Sequence, residues 1–137
     1  MKHSPITEIY TEEASKAIGP YSQAVSAGDF VFVSGQIPLD PVTATIVQGG
    51  IREQTRQVMK HIEAILRTVG LTFENVVKSE VFLKDMNDFI AMNEVYGSFF
   101  TSGIHPSRQA VQVSRLPRDV LIEISCIAYR GQEAHRS

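Results

Sequence analysis

Residues His105–Cys126, HPSRQAVQVSRLPRDVLIEISC, decide the fold and carry the first candidate site. The run 109–114 alternates between polar and apolar residues, which is typical of a β-strand with one exposed face. The run that continues to Tyr129 is apolar on both faces, which is typical of a strand covered on both sides. Leu116-Pro-Arg-Asp119 between them predicts a turn. The stretch therefore predicts a strand–turn–strand hairpin.

One carboxylate, Glu123, stands in the second of these strands with no charged residue within three positions on either side. A buried carboxylate without a partner costs several kcal/mol or takes up a proton, so its presence calls for a reason. In one explanation Glu123 faces solvent, or pairs with Arg115 or Arg118. In the other it is a general acid/base in a cleft, and Arg108 is the anchor for an anion.

Length and composition indicate an ordinary globular protein. The 137 residues predict a single domain spanning 1–137, and 43% hydrophobic with 20% charged residues is an average composition. A net charge of −2 disfavours nucleic acid as a partner, because proteins that bind it usually carry a basic surface. The single cysteine, Cys126, lies in the apolar strand and is predicted to be a buried thiol.

The same composition predicts a cytoplasmic protein with no membrane partner. No apolar run approaches the roughly 20 residues that a membrane-spanning helix needs. The N-terminal stretch MKHSPITEIYTEE lacks the apolar centre of a signal peptide and carries acids that a transit peptide avoids.

Three strands are predicted before the first helix. The first lies around Pro5–Tyr10, and the runs Gln23–Ala27 and Phe30–Ser34 follow it. Gly28-Asp29 joins the last two, and this two-residue connection is typical of a hairpin with a primed turn. Tyr21 and Ser34 flank this hairpin, so their hydroxyls could converge near its open end.

Two helices and one further strand complete the pattern. Residues 51–69 carry apolar side chains at three- and four-residue steps and end at Gly70, which predicts an amphipathic helix. His61 is predicted at its surface or flank. Residues 76–83 form a strand, and a second helix follows, capped by Asp85 or Asn87. Its apolar positions are predicted to be core residues: Phe89, Met92, Val95, Tyr96 and Phe99.

The element order β-ββ-α-β-α-ββ predicts an α+β fold, with a mixed, mostly antiparallel sheet and two helices on one face. Two helices cover only one side of a sheet, yet several strands are apolar on both faces. We therefore expect a homo-oligomer that buries the other side. The tail after Gly131 is predicted to be frayed.

Several chemistries have no support in the sequence. The Gly49-Gly50 pair lacks the rest of a phosphate-binding loop, and the four histidines are scattered without metal-ligand spacing, so no metal site is predicted. What remains is Arg108 and Glu123 with the hydroxyls of Tyr21 and Ser34. This set suits a small anionic ligand and acid/base chemistry that uses water and no cofactor.

The chain resembles the RidA/YjgF family of reactive imine/enamine deaminases, and the likeness runs from about residue 5 to 130. Five separate motifs carry it: residues 17–24 (AIGPYSQA), 34–37 (SGQI), 106–108 (PSR), 115–119 (RLPRD) and 122–124 (IEI). The resemblance implies a chorismate-mutase-like fold assembled as a homotrimer, with the sheets forming an inner barrel and ligand clefts between subunits. It also implies hydrolysis of 2-iminobutanoate and 2-iminopropanoate, which arise from enamines such as 2-aminoacrylate.

By position, the resemblance implies that Arg108 holds the substrate carboxylate and that Glu123 activates the attacking water. It assigns further residues to the lining of the same pocket: Tyr21, Ser34, Asn93 and the backbone of Gly35. Many bacterial members have a cysteine where this chain has Ala110. If the backbone carbonyl at this position holds the water, alanine suffices, and thiol-based regulation there would be absent.

Three other functions stay open at this stage. The chain could bind small carboxylates as a regulatory protein without turning them over. It could deaminate a different substrate, such as an aminomuconate-type ring-cleavage product. Some relatives have been described as endoribonucleases or translation inhibitors, although the net acidity and the absence of a histidine pair disfavour RNA cleavage here.

Overall fold

A computed structural model describes residues 5–131 of the chain; the predicted fraying of the tail and the histidines His3 and His135 lie outside the described residues. Six strands form one sheet in the order β1-β2-β3-β6-β4-β5. The strands are β1 (Ile6–Ile9), β2 (Ala24–Ala27), β3 (Phe30–Gln36), β4 (Val76–Leu83), β5 (Ser107–Gln112) and β6 (Ile122–Tyr129). Helices α1 (Ile51–Thr68) and α2 (Phe89–Gly97) follow β3 and β4. The predicted element order is confirmed.

Only the β4–β5 pair is parallel among the described strand pairs, so the mixed, mostly antiparallel sheet is also confirmed. β6 pairs antiparallel with both β3 and β4, which makes β3 and β4 parallel to each other on either side of it. Each of the two helices therefore connects a pair of parallel strands, and one of these crossovers spans the inserted β6.

The predicted hairpin between β5 and β6 is wrong. β5 pairs with β4 in parallel at the edge of the sheet, whereas β6 lies on the other side of β4. The connection between them contains a 3₁₀ turn, Pro117–Asp119, with Arg118 and Asp119 in the left-handed region. A strand that is apolar on both faces belongs in the centre of a sheet, and the more polar β5 is better suited to an edge.

The two helices pack on one face of the sheet, as predicted. Every second residue of β6, starting at Ile122, is buried against them, and the same holds for β4 from Ser79 onward. In α1 the buried residues recur at helical spacing and include Val58, Ile62 and Ile65. These side chains make a single core between the sheet and the helices.

Within residues 5–131, no helix covers the opposite face of the sheet, which carries exposed apolar side chains. Phe30 and Phe32 are 41% and 42% exposed, and their rings lie 6.4 Å apart. Phe30 also contacts the ring of Tyr129 at 5.3 Å, and Val111 on β5 is 43% exposed. An exposed aromatic cluster such as that of Phe30, Phe32 and Tyr129 is typical of a face that another protein surface covers.

The position of His61 corrects the sequence prediction. Its side chain is 1% exposed, and its Nε2 atom lies 2.9 Å from Ser15 Oγ and 2.7 Å from the Leu39 carbonyl oxygen. Helical periodicity places it beside the apolar stripe, but sequence alone does not show that the loop around Leu39 covers this flank of α1. His61 therefore joins three separate segments as a buried structural residue.

Burial lowers the pKa of His61 below its ordinary 6.5, against the opposing effects of its backbone partners and Asp40. The unfolded chain then takes up this proton more readily than the folded chain. We expect the free energy of unfolding to fall as the pH drops below about 6.5, and to fall less steeply in His61→Gln. Denaturant unfolding of both proteins at several pH values measures this; equal slopes would contradict it.

Candidate functional site

Arg108 lies on the edge strand β5 and points to the face that carries the helices. Its backbone pairs with that of Ser79, and its half-buried guanidinium lies under α2. Nη1 donates a hydrogen bond to Oδ1 of Asn93 at 2.6 Å. The guanidinium carbon lies 4.9 Å from the ring centre of Tyr96 and 5.6 Å from that of Phe89. A neutral amide and two rings hold this cation, which leaves its charge available to an anion.

Asn93 and Ala110 accompany Arg108, as the resemblance implies. Asn93 is half-buried on α2, and Ala110 lies two residues after Arg108 on the same face of β5, beside the core. We call these three residues the cation half of the site. No acidic side chain forms an ion pair with Arg108 among residues 5–131.

Glu123 lies on β6 and is half-buried on the open face of the sheet. Its carboxylate packs directly against Gly35: a Cβ atom at residue 35 would lie 1.9 Å from Oε2. Gly35 sits at an irregularity in the pairing of β3 with β6, where the register shifts between Val33 and Gln36. The missing side chain at this bulge makes room for the acid.

Partial burial raises the pKa of the Glu123 carboxyl above its ordinary value of 4.5. Neither of the arginines first considered as its partner neutralises it in the described structure. Arg115 pairs with Asp119 at 3.1 Å, and Arg118 donates to the Ala44 carbonyl at 2.7 Å. A half-buried acid with a raised pKa and no cationic partner has the properties of a proton-transfer group.

Tyr21 and Ser34 both lie close to Gly35, Tyr21 across a small cavity and Ser34 as the preceding residue of the chain. Tyr21 and Gly35 border the same small cavity, which has room of about 10 Å³, and the Tyr21 side chain is 50% exposed. The Ser34 hydroxyl donates to the Ser22 carbonyl at 2.7 Å and so fixes the loop next to Tyr21. We call Tyr21, Ser34, Gly35 and Glu123 the acid half of the site.

The cation half and the acid half lie on opposite faces of one chain. Arg108 pairs with Ser79, and Glu123 pairs with Phe82, three residues further along β4. An odd number of steps along a strand puts two side chains on opposite faces. Two strand spacings and three residue steps also separate Arg108 from Glu123 by about 14 Å within the sheet. One small ligand cannot contact both side chains of the same chain.

In the part of the chain that the structure describes, neither a separate metal-binding cluster nor a membrane-spanning helix accompanies these two halves. In residues 5–131 no group of three histidine, cysteine or acidic side chains is placed to hold a metal ion. In that same range, none of the helices combines the length and the apolar character needed to cross a membrane. Two cavities of about 280 Å³ open elsewhere, near Phe73 and near Pro41, and neither contains Arg108 or Glu123.

Two aromatic side chains next to the cation half were not predicted from the sequence to contact it. Phe89 and Tyr96 are indeed packed against the core, as predicted, but both also contact the guanidinium of Arg108. A signal was available: Phe89, Asn93 and Tyr96 follow the spacing i, i+4, i+7, which places one polar residue in an aromatic stripe on a single helix face.

Comparison with known proteins identifies the family. The model of a family described as Endoribonuclease L-PSP, which comprises the RidA/YjgF proteins, matches residues 11–130. The chain belongs to the RidA/YjgF family. A RutC family protein of Pyrococcus horikoshii is 58% identical over 122 residues, which cover 89% of this chain and 96% of that protein.

Other RidA/YjgF relatives carry more specific names. The 2-iminobutanoate/2-iminopropanoate deaminase of mouse is 46% identical over 123 residues, which cover 90% of each chain. The crystal structure of E. coli TdcF with bound serine has a TM-score of 0.87 and 43% identity, and covers 91% of this chain and 99% of that one. The E. coli YjgF structure has a TM-score of 0.86 and 44% identity, with 90% and 98% covered. The predicted family is confirmed, and so is the predicted α+β fold with its mixed sheet and two helices.

Proposed function

We propose that this protein is a cytoplasmic deaminase that hydrolyses 2-iminopropanoate, 2-iminobutanoate and the corresponding enamines to 2-keto acids and ammonia, without a cofactor. One observation carries the proposal: among residues 5–131, Arg108 forms no ion pair with an acid and Glu123 forms none with a base, although both are half-buried. The guanidinium of Arg108 is suited to bind a substrate carboxylate, and the carboxylate of Glu123 is suited to activate a water molecule. A relative 46% identical bears the name of this activity.

The position of the two halves on opposite faces supports a site shared between subunits. We propose that the open face of the sheet is covered by further copies of the chain in a homotrimer, so that the acid half of one subunit meets the cation half of its neighbour. The exposed Phe30 and Phe32 would be buried by the same association. Each cleft then receives Arg108 from one chain and Glu123 from another.

The chemistry needs positioning and one mobile proton. Arg108 binds the carboxylate and presents the imine carbon. The imine nitrogen first takes up a proton from solvent; Glu123 then accepts a proton from water while the water oxygen bonds to this carbon and the carbon–nitrogen double bond becomes single, which gives a carbinolamine. Glu123 returns its proton to the nitrogen, the carbon–nitrogen bond breaks, and ammonia leaves. The hydroxyl gives its proton to Glu123 as it becomes the ketone, and Glu123 releases this proton to solvent. The backbone carbonyl of Ala110 is a suitable acceptor for the attacking water.

The direct test is turnover of the serine- and threonine-derived imines side by side. The imines are generated in the assay from the amino acids by a dehydratase, and the release of 2-keto acid is followed with and without this protein. We expect faster release than in spontaneous hydrolysis for both substrates. Rates equal to the spontaneous ones at micromolar protein would exclude the deaminase.

A second candidate is a regulatory protein that binds small carboxylates without converting them. The structure of TdcF contains bound serine, which is a small carboxylate, and Arg108 would serve a binder equally well. The half-buried Glu123 favours the enzyme, because carboxylate binding alone gains nothing from a second acid nearby. Binding of 2-oxobutanoate without any turnover would favour this alternative.

RNA cleavage has less support, although the family description names an endoribonuclease. Between residues 5 and 131, His61 is buried in the core and His105 lies on an exposed loop, so these two do not form an acid/base pair. Ribonuclease activity that remains with the purified protein and disappears in Glu123 or Arg108 variants would support it.

Gly35→Ala is expected to lower deaminase activity by about 10- to 100-fold, because the new methyl group would occupy the place of the Glu123 carboxylate. Residue 35 has no positive φ, so alanine fits its backbone, and the flexible end of Glu123 can swing aside. We therefore expect little change in the unfolding temperature. Steady-state kinetics and thermal unfolding measure the two effects; unchanged kcat in Gly35→Ala would show that this packing does not matter.

A further inference from the structure

Three side chains of α2 meet at the guanidinium of Arg108. Phe89, Asn93 and Tyr96 lie on one side of the helix, and the two rings approach the cation while the amide oxygen accepts from Nη1. Tyr96 is the nearer ring, at 4.9 Å, and is 6% exposed. A buried ring at this distance makes a favourable contact with a guanidinium.

Tyr96 is itself hydrogen-bonded to the residue of β4 that pairs with Arg108. Its hydroxyl donates a hydrogen bond to Ser79 Oγ at 3.0 Å, and Ser79 is 2% exposed. Ser79 is the residue that pairs with Arg108 between β4 and β5. Ser79, Tyr96 and Arg108 therefore form a closed loop of contacts, in which the backbone of Arg108 and its guanidinium are tied to the same tyrosine.

We propose that Tyr96 is a positioning residue that sets the plane of the Arg108 guanidinium for the substrate carboxylate, with Phe89 supporting it. The inference rests on the proposed role of Arg108 as the carboxylate anchor. Asn93 fixes one nitrogen but leaves the group free to turn about that bond. The Tyr96 ring removes this freedom, so Nε and Nη2 stay aligned for a bidentate contact.

A purely structural role for Tyr96 makes a different prediction. Tyr96 also packs on Phe100 at 4.8 Å and belongs to the core, so its loss could simply weaken the fold. A structural defect would lower stability and the amount of active protein without a selective change in carboxylate affinity. A positioning defect raises KM and the Kd of a carboxylate ligand while kcat changes little, because the water-activating Glu123 is untouched.

The experiment compares three variants of the full chain: Tyr96→Leu, Tyr96→Phe and Phe99→Leu. Phe99 is the matched control, because it follows the end of α2 by two residues and packs on Phe73 at 5.5 Å, with no ring contact to Arg108 in the described structure. KM and kcat are measured with 2-iminobutanoate, and Kd with its stable product 2-oxobutanoate by calorimetry. Phe89→Leu, at a half-buried position, replaces Tyr96→Leu if the latter does not fold.

Tyr96→Leu is expected to raise KM and Kd about ten-fold, with kcat within about three-fold of the parent. Tyr96→Phe, which keeps the ring, is expected to restore most of the affinity, and Phe99→Leu is expected to match the parent. Parental affinity in folded Tyr96→Leu, or an equal loss in Phe99→Leu, would overturn the inference. If the parent binds 2-oxobutanoate but turns over no imine, the deaminase proposal fails and the Kd values still decide the role of Tyr96. A parent that neither binds nor converts overturns both.

Discussion

Glu123→Gln is expected to lower kcat about 10³-fold, within the range of 10² to 10⁴ that the loss of a general acid/base produces. Glutamine has the same shape and fits beside Gly35, but it cannot accept a proton from water or return one to the departing nitrogen. KM is expected to change little, because Arg108 holds the carboxylate. Steady-state release of 2-keto acid from 2-iminobutanoate measures both constants.

The matched control is Glu80→Gln. Glu80 is a half-buried acid on the same open face, but it has partners: the Lys78 ammonium lies 3.6 Å away, and Gln109 donates a hydrogen bond to its carboxylate. This variant is expected to retain parental kcat. Full activity in Glu123→Gln would remove the acid from the mechanism and favour the carboxylate-binding protein.

The pH dependence of the parent gives an independent check. Glu123 must be ionised to accept a proton, so kcat/KM is expected to fall as the pH drops through its raised pKa, above the ordinary 4.5. The residual activity of Glu123→Gln should lack this acid limb. The effect of Glu123 on the free energy of unfolding has the opposite pH dependence. Because its pKa is raised in the folded chain, its contribution to stability is largest at low pH, where it is protonated, and is lost as the pH rises through the folded pKa.

Local patterns in the sequence predict most of the secondary structure. Residues 76–83, VVKSEVFL, are rich in β-branched and aromatic residues and form β4 at the predicted bounds, and the helix predicted over residues 51–69 ends at Thr68, just before the left-handed Gly70. These features depend on periodicity and on a glycine at a helix end, which are properties of neighbouring residues.

Strand order and partners between distant segments are not local properties. The short polar turn after β5 is compatible with a hairpin, and nothing nearby in sequence shows that β6 prefers the space between β3 and β4. The burial of His61 could not be predicted for the same reason, because its partners Ser15 and Leu39 are distant in sequence. The composite site depends on register: a shift of one residue in β6 would move Glu123 to the helix face.

Arg108→Ala is expected to lower kcat/KM about 10²- to 10³-fold, mainly through KM, because removing one member of a desolvated charge pair costs about 2–5 kcal/mol. Arg108→Lys keeps the charge but loses the planar fork, so we expect an intermediate loss. Arg115→Ala is the control, since that arginine is exposed and pairs only with Asp119 in the described structure. The same imine assay measures all three; parental kcat/KM in Arg108→Ala would exclude the anchor.

Mixing two inactive variants tests whether the site is shared between chains. In a trimer that combines Arg108→Ala and Glu123→Gln subunits, a cleft is intact when its arginine comes from the second variant and its acid from the first. Random assembly from equal amounts makes about a quarter of the clefts intact, so co-refolding should restore about a quarter of the parental activity. Native mass spectrometry confirms that the subunits have mixed. Mixed oligomers without activity would show that Arg108 and Glu123 of different chains do not form a site together. Within one chain the two side chains lie about 14 Å apart on opposite faces of the sheet and cannot contact one small substrate. This result would therefore also exclude the proposed deaminase mechanism.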